Sequence, residues 1–245
     1  MILSYRHKFT FLHSPKSGGS SIKLGFAPHL GPRDILLGAR SEREGGRVRP
    51  NLRARLDAAS TLTPGGVLAA VGLRSHRKLI SRQQRAYARH FGASVDHPSA
   101  ERLRFFDRRS WDRNFKFSFV RNPYERTVSM YLFLTRGDEE RRPSFGVFLE
   151  RLIEGGGRHA RWRRLVDQWE IHAIADRVAV DYVGRHETFE RDIAVICGEI
   201  GLPWSAPARA KAARPYDFRD FYDARTRKTV ARLCEREIDY FGYCF

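Results

Sequence analysis

Cysteines, acidic residues and long apolar runs are all scarce in this chain of 245 residues. There are three cysteines, Cys197, Cys234 and Cys244, and an odd number without regular spacing argues against a disulfide framework or a zinc site. A reducing compartment, the cytoplasm, is therefore predicted. No stretch of the sequence approaches the 18 apolar residues that would predict a membrane-spanning helix. The sequence also lacks internal repeats and long low-complexity tracts.

The shortage of acidic residues leaves a large positive charge. The chain has 45 Lys and Arg against 28 Asp and Glu, a formal net charge of +17. This surplus predicts an anionic partner, but nucleic acid, a nucleotide, an acidic glycan and an anionic membrane surface all satisfy it. An arginine-rich composition is also typical of a GC-rich genome, which accounts for part of the surplus. With 42% hydrophobic residues, the chain can bury a core, and residues 1–245 fit one large domain.

Strand and helix patterns alternate along the chain. Residues 115–120 alternate with period 2 and place three aromatic side chains on one face of a strand. Strands that alternate with helices predict an α/β fold with a central parallel sheet and helices on both faces. Residues 31–56, rich in Gly, Pro and Arg, predict a mobile surface segment. The other predicted strands are residues 9–12 and 178–183, and helices are predicted from Ser20, from Lys78 to Phe91, from Pro98, from Pro123, over residues 189–200 and over residues 230–241.

The first motif is a glycine- and serine-rich loop between a strand and a helix. Residues 14–21 read Ser-Pro-Lys-Ser-Gly-Gly-Ser-Ser. Glycines let main-chain N–H groups approach an anion, and the start of a helix adds unpaired donors and the positive end of its dipole. The pattern is not a Walker A loop, because Lys16 precedes the glycines instead of following them. The loop predicts a phosphate-type anion site made of Lys16, Ser17, Gly18, Gly19, Ser20 and Ser21.

The second motif follows the predicted strand 115–120. Arg121 stands at the carboxyl end of that strand, where open α/β sheets bind ligands. Asn122 and Pro123 suit the N-cap and first helical positions, and Glu125 completes the spacing of a capping box. Ser129 lies about two helical turns further along. The guanidinium of Arg121 and the hydroxyl of Ser129 thus predict a second phosphate site, with the arginine binding bidentately. Taken alone, the short string Arg-Asn-Pro also fits an arginine that caps the helix or forms a salt bridge.

Together the two motifs resemble the donor-binding motifs of sulfotransferases, in particular the carbohydrate branch. Residues 11–21 resemble the loop that binds the 5′-phosphosulfate in that family. Residues 117–131, Phe-Ser-Phe-Val-Arg-Asn-Pro-Tyr-Glu-Arg-Thr-Val-Ser-Met-Tyr, resemble its 3′-phosphate motif. Residues 181–187 resemble its "DFVGRFE" strand, and residues 225–245 its C-terminal helix and tail. Residues 30–90 are individual to this chain, and a variable acceptor-side insertion is expected at about residues 30–95.

The resemblance implies a three-layer, P-loop-like fold and 3′-phosphoadenosine 5′-phosphosulfate (PAPS) as the sulfuryl donor. The first loop would then hold the 5′-phosphosulfate, while Arg121 and Ser129 would hold the 3′-phosphate. Lys16 would also act catalytically, by stabilising the charge that develops on the leaving group. The implied acceptor is a hydroxyl of a carbohydrate or glycolipid. Metal is not implied, because the basic residues can supply the charge.

The transfer also needs a group that removes the acceptor's proton. His97 is the predicted base, because it stands between the motifs where related enzymes often show Lys-His-Ala/Ser; here Asp96 and Pro98 flank it. His13 is interpreted as structural or as a support beside the loop. His186 and Glu187 are interpreted as supports of the sheet or acceptor pocket. Four aromatics are interpreted as core or acceptor contacts: Tyr124, Tyr131, Trp162 and Trp169.

Two other functions fit part of the sequence. The net charge suits a nucleic-acid-binding protein, but no recognition-helix, zinc-finger or RRM-like string occurs. A P-loop-like kinase would share the fold, but the position of Lys16 before the glycines argues against it. The arginine clusters in residues 33–56 and 74–113 give a further hypothesis, an acidic glycan acceptor or a lipid head group at a peripheral membrane contact.

Overall fold

A computed structural model of the protein describes residues 1–38, 50–60, 76–92, 94–137, 141–205 and 216–245. The strands are β1 (Ile2–Ser4), β2 (Phe9–Leu12), β3 (Ile35–Leu36), β4 (Phe115–Val120), β5 (Ala173–Ile174), β6 (Arg177–Val178) and β7 (Tyr182–Arg185). The main sheet has five strands in the order β3-β1-β2-β4-β7, and β5 and β6 pair with each other separately.

The main sheet is mixed, whereas the sequence predicted a parallel one. Strands β2, β4 and β7 run parallel, but β1 is antiparallel to both β2 and β3. The reason is the short connection between β1 and β2, since a tight hairpin can join only antiparallel strands. The predicted strand 178–183 also divides, because Val178 belongs to β6 and the central sheet resumes at Tyr182.

Helices cover both faces of the sheet, as predicted. The expected helix over 230–241 is interrupted at Cys234 and forms two helices. The helices are α1 (Gly19–Phe26), α2 (Leu52–Ala59), α3 (His76–Phe91), α4 (Ala100–Phe106), α5 (Arg108–Arg113), α6 (Pro123–Leu134), α7 (Phe145–Glu154), α8 (Gly157–Val166), α9 (Trp169–His172), α10 (Phe189–Ile200), α11 (Ala224–Leu233) and α12 (Glu235–Phe241).

The segment 31–56 differs from its predicted surface character where it is described. Ile35 and Leu36 form β3 and are buried against β1. Asn51 then caps α2 by accepting a hydrogen bond from the N–H of Ala54. Residues 39–49 of this segment, which include most of its arginines, lie outside the described residues.

The period-2 pattern of the strands separates two cores. The phenylalanines of β2 and β4 pack together on one sheet face, with the Phe11 and Phe117 rings stacked at 5.1 Å. Helices α1 and α10 cover that face with Ile22, Phe26, Ile193 and Ile196. The opposite face packs against α3, α4 and α5 through Tyr87, Phe91, Leu103 and Trp111. The predicted grouping of Phe115, Phe117 and Phe119 on one face is confirmed.

A third core lies beside the sheet, where α6, α7, α8 and α11 pack together. Tyr124 and Tyr131 are buried in it, and Trp162 packs against Phe148. Trp169 is buried near Phe241 in a smaller cluster. All four aromatics interpreted as core or acceptor contacts therefore lie in the core.

The parallel pairing of β2 and β4 decides where the two motifs meet. Leu12 pairs with Ser118, so both strands end at the same edge of the sheet. The loop before α1 and the Arg121 junction before α6 leave that edge side by side. Two segments more than 100 residues apart in the sequence thereby form one site.

Candidate functional site

A cavity of about 670 Å³ opens at this edge of the sheet. All but one of the predicted site residues line it. The exception is Ser17, whose side chain is fully buried with its hydroxyl turned to the carbonyl oxygen of Pro15, 3.5 Å away. The predicted lining residues that reach the cavity are Lys16, Gly18, Gly19, Ser20, Ser21, His97, Arg121 and Ser129.

The loop before α1 is held with its carbonyl groups engaged. The carbonyl oxygen of Pro15 accepts a hydrogen bond from Nε2 of Gln168 (3.0 Å), and that of Lys16 accepts one from Nη1 of Arg121 (3.2 Å). Lys16 and Gly18 both adopt positive φ, 64° and 84°, a conformation that glycine adopts without strain. This backbone curls the loop around the start of α1.

Helix α1 begins without a side-chain cap. Gly18 is its N-cap residue, no side chain of the described residues caps it, and its first turn contains no acidic residue. The first N–H groups of a helix have no acceptor within the helix. Since this helix start lines the cavity, it is a ready anion site.

Positive charge dominates the cavity wall. The Nζ of Lys16 lies 4.8 Å from the ring centroid of Phe133, and the guanidinium of Arg136 lies 4.2 Å from the same centroid. Burial, then the charges of Arg121 and Arg136, lower the pKa of Lys16. Two lysines and two arginines line the cavity together with one carboxylate, that of Asp96, so the wall favours an anionic ligand.

Arg121 already forms hydrogen bonds within the protein in this structure. One of its terminal nitrogens forms an ion pair with Glu125 and the other bonds to the Lys16 carbonyl, whereas its buried Nε has no partner among the described residues. The guanidinium has five N–H donors, and these two contacts leave the others for the bidentate phosphate contact that the sequence predicts.

The start of α6 confirms the predicted N-cap but not the capping box. The side chain of Asn122 accepts a hydrogen bond from the N–H of Tyr124 at 3.0 Å. In a capping box Glu125 would reach back to the N–H of Asn122, but it pairs with Arg121 instead. The Asn122 N–H bonds to Glu187 at 2.6 Å.

Glu187 and His186 support the same edge of the sheet. The second carboxylate oxygen of Glu187 accepts a hydrogen bond from the hydroxyl of Tyr243 at 3.1 Å. Glu187 thus ties the second junction to the C-terminal tail. His186 lines the cavity, and burial together with the charge of Arg121 lowers its pKa.

His97 lies in the cavity wall next to His13. The Nδ1 of His97 is 2.8 Å from the carbonyl oxygen of His13, and the two ring centroids are 4.4 Å apart. Because a carbonyl oxygen only accepts, Nδ1 of His97 carries the proton, and Nε2 of the neutral ring keeps a lone pair. Burial lowers the pKa of His97 to about 4, against the opposing effect of Asp96. The ring is therefore neutral at pH 7 and able to accept a proton.

Sequence reasoning missed several residues of the site. Lys23, Phe133 and Arg136 line the cavity, and Gln168 anchors its loop. Lys23 follows Gly19 by four residues, so helical spacing places it on the same face, and this signal was available. Gln168 carried no signal, since its partner Pro15 is 153 residues away.

Neither a metal cluster nor a membrane-spanning helix is found in the described ranges. In these parts of the chain, His, Cys, Asp and Glu side chains form no group of three or more that could hold a metal ion. No described helix combines the length and apolar character needed to cross a membrane.

Comparisons with known proteins give one family. The model of a family described as "Sulfotransferase family" matches residues 1–243. An uncharacterized protein of Archaeoglobus fulgidus is 31% identical over 108 residues, which cover 42% of this chain and 81% of that protein. No solved structure matches the chain significantly.

Proposed function

Because the chain belongs to the sulfotransferase family, we propose that it transfers a sulfuryl group from PAPS to a hydroxyl of a carbohydrate or glycolipid. Sulfuryl transfer in general follows from the family, whereas the donor and the acceptor are the proposed parts. The supporting observation is one cavity that receives both junctions, the uncapped start of α1 with Lys16 and the Arg121–Ser129 pair of α6. Such a cavity suits a nucleotide with anionic groups at two positions.

The residues present fit this donor. No side chain of the described residues caps the start of α1, and Nε of Arg121 is buried without a partner among the same residues. Helix-start N–H groups take their acceptors from outside the helix, and a buried N–H group without a partner is unfavourable, so an anionic ligand suits both. When bound, PAPS would supply the activated sulfuryl group. Lys16, the main chain of Ser17, and residues Gly18, Gly19, Ser20 and Ser21 would hold the phosphosulfate, and Arg121 and Ser129 the 3′-phosphate.

We assign the proton transfer to His97. The lone pair on its Nε2 would accept the proton of the acceptor hydroxyl, while the His13 carbonyl holds the ring through Nδ1. Lys16 and the helix N–H groups supply fixed positive charge, and such preorganised groups are typically the largest contributors to catalysis of group transfer. The P-loop-like architecture inferred from the sequence belongs to the same proposal.

The acceptor is expected to carry negative charge. Lys23 and Arg136 line the cavity beyond the predicted donor residues, and the chain as a whole has a charge of +17. A glycolipid acceptor would add a peripheral membrane contact, and nucleic acid is not expected as a partner. Equal turnover of neutral and acidic acceptors would contradict this part of the proposal.

The test is transfer of radiolabelled sulfate from PAPS to a panel of glycans, glycolipids and small alcohols. Wild type should label at least one class of acceptor. His97→Ala should lose about 10²-fold or more of the rate, the typical share of general base catalysis. His90→Ala, an exposed histidine outside the cavity, is the matched control and should keep full activity.

Two outcomes would contradict the proposal at different points. Full activity of the folded His97→Ala variant would place the base elsewhere. Failure of the folded wild type to use PAPS with every acceptor of the panel would reject the proposed reaction.

A further inference from the structure

We propose that the cavity wall holds two adjacent histidines in opposite hydrogen-bonding roles: Lys23, a positioning residue, makes His13 a donor to the bound anion, and the main-chain carbonyl of His13 makes His97 a proton acceptor. The role of His97 in catalysis rests on the proposed function, but the two ring states do not. They follow from hydrogen bonds within the cavity wall.

The first step is the contact between Lys23 and His13. Lys23 lies on α1, is 1% exposed, and places Nζ 3.1 Å from Nδ1 of His13. A Cβ atom added to Gly38 would lie 2.7 Å from this Nζ and 3.1 Å from Cγ of Asp96, so a carboxylate flanks the ammonium. An ammonium group only donates. Nδ1 of His13 therefore accepts, and the proton of its neutral ring is on Nε2.

The second step is the direction of that proton. A Cβ atom added to Gly19 would lie 2.1 Å from Nε2 of His13, so this nitrogen packs directly against the first residue of α1. His13 also lines the cavity. Its Nε2–H is thus a neutral donor beside the free N–H groups of the helix start, where the anion is expected. A doubly protonated ring could not accept the Lys23 hydrogen bond.

The third step is the contrast with His97. Its Nδ1 donates to the His13 carbonyl at 2.8 Å, which leaves the lone pair on Nε2. The two neighbouring rings, whose planes are inclined by 51°, therefore carry their protons on different nitrogens. His13 takes part in both arrangements: its ring is the donor, and its main-chain carbonyl orients the acceptor ring of His97.

The charged and titratable groups around the pair come from four segments. They are Lys23 of α1, His13 at the end of β2, Asp96 beside His97, and the amino group of Met1, which bonds to the carbonyl oxygen of Asp96 at 3.2 Å. Gln84 of α3 holds the Asp96 carboxylate at 3.2 Å. Burial and then Lys23 lower the pKa of His13 far below its usual range, and Lys23 is among the groups that lower the pKa of His97.

The test is an NMR titration of the protein with ¹⁵N-labelled histidine, in which the ring nitrogen shifts report tautomer and charge. Wild type should show His13 protonated on Nε2 and His97 on Nδ1, both neutral at pH 6. In Lys23→Met, His13 should lose its single tautomer, and both titration midpoints should rise by about one pH unit or more. Lys23→Arg should restore the wild-type pattern, and Lys228→Met, an exposed lysine of α11, should not alter it.

The proposal is overturned if His13 of the wild type carries its proton on Nδ1, a result that needs no variant to fold. It is also overturned if Lys23→Met keeps the His13 tautomer and both midpoints. The titration uses neither donor nor acceptor. The expected tautomers in a protein that transfers no sulfate would therefore reject the proposed function and leave this inference standing.

Discussion

The two strand-to-helix junctions that meet in the cavity differ in whether the first N–H groups of the helix are capped. After β2, helix α1 begins behind Gly18 with no side-chain cap and no acidic residue in its first turn. After β4, helix α6 begins with Pro123, which lacks an N–H group, and Asn122 caps the next one. The first junction presents main-chain donors, whereas the second satisfies its donors and presents the side chain of Arg121 instead.

This difference shows which part of the chain gives up local stability for binding. Glycine as the N-cap costs only roughly a few tenths of a kcal/mol relative to Ser, Thr, Asn or Asp, whereas positive φ at a residue with a side chain, as at Lys16, adds about 1–3 kcal/mol of strain. Both features occur in the first junction. The second junction is locally stable and carries its function in one long side chain. Substitutions in the two junctions should therefore differ in their effects on ligand binding and on the free energy of unfolding.

The largest effect is expected at Lys16. Lys16→Met keeps the length of the side chain and removes its charge, so kcat/KM for sulfuryl transfer should fall about 10²- to 10³-fold, as for loss of one preorganised group. Lys228→Met on the surface is the control for a lost positive charge. A fall of less than tenfold in Lys16→Met would show that the main-chain donors act without this lysine.

Arg121 should determine how strongly the protein prefers a nucleotide with a 3′-phosphate over one without it. In Arg121→Met, binding of 3′-phosphoadenosine 5′-phosphate should weaken about 10²-fold, whereas binding of ADP should change far less, because only the first ligand has the group that Arg121 would contact. Calorimetric titration measures both. Arg161→Met, at an exposed position of α8, is the matched control. Equal losses of affinity for the two ligands would mean that Arg121 does not contact the 3′-phosphate and acts only by its hydrogen bond to the Lys16 carbonyl.

Gly19→Ala should disturb the first junction through packing. The new methyl group would lie 1.8 Å from Cδ2 of His13, so the buried ring must shift, with a loss of about 1–3 kcal/mol in unfolding free energy and weaker nucleotide binding. Gly198→Ala in α10, where a Cβ meets nothing within 4 Å, should instead be neutral or stabilise by up to about 1 kcal/mol. Chemical denaturation compares them, and equal stability of the two variants would contradict the clash.

The smallest effect is expected at Asn122. Asn122→Ala removes the cap of α6 and should lower the unfolding free energy by about 1 kcal/mol, with nucleotide affinity nearly unchanged. Denaturation and calorimetry on the same sample separate the two quantities. A large loss of affinity at unchanged stability would mean that this junction also binds through its main chain.

Local patterns were sufficient for what each junction is made of. The alternation of residues 115–120, the Asn122 cap and the glycine-rich turn all depend on neighbours in sequence, and the structure contains each of them. The family resemblance also brought His97 to attention, and the structure puts it in the cavity wall.

Long-range contacts were outside the reach of those patterns. Nothing local to Arg121 indicates that the carbonyl oxygen of Lys16, 105 residues away, accepts a hydrogen bond from one of its nitrogens. The same holds for the hydrogen bond that orients His97, whose partner is 84 residues away. The buried strand β3 was missed because its two residues are too few to show a period and lie among breakers.

The most direct measurement is calorimetric binding of 3′-phosphoadenosine 5′-phosphate and ATP to the wild-type protein at the same ionic strength. If the two junctions form one site for a nucleotide phosphorylated at both ends, the 3′-phosphorylated nucleotide should bind about 10²-fold more tightly than ATP. The reason is that ATP has no 3′-phosphate for Arg121 to contact. Equal affinity for the two nucleotides would contradict this, and the cavity would then be a general polyanion site.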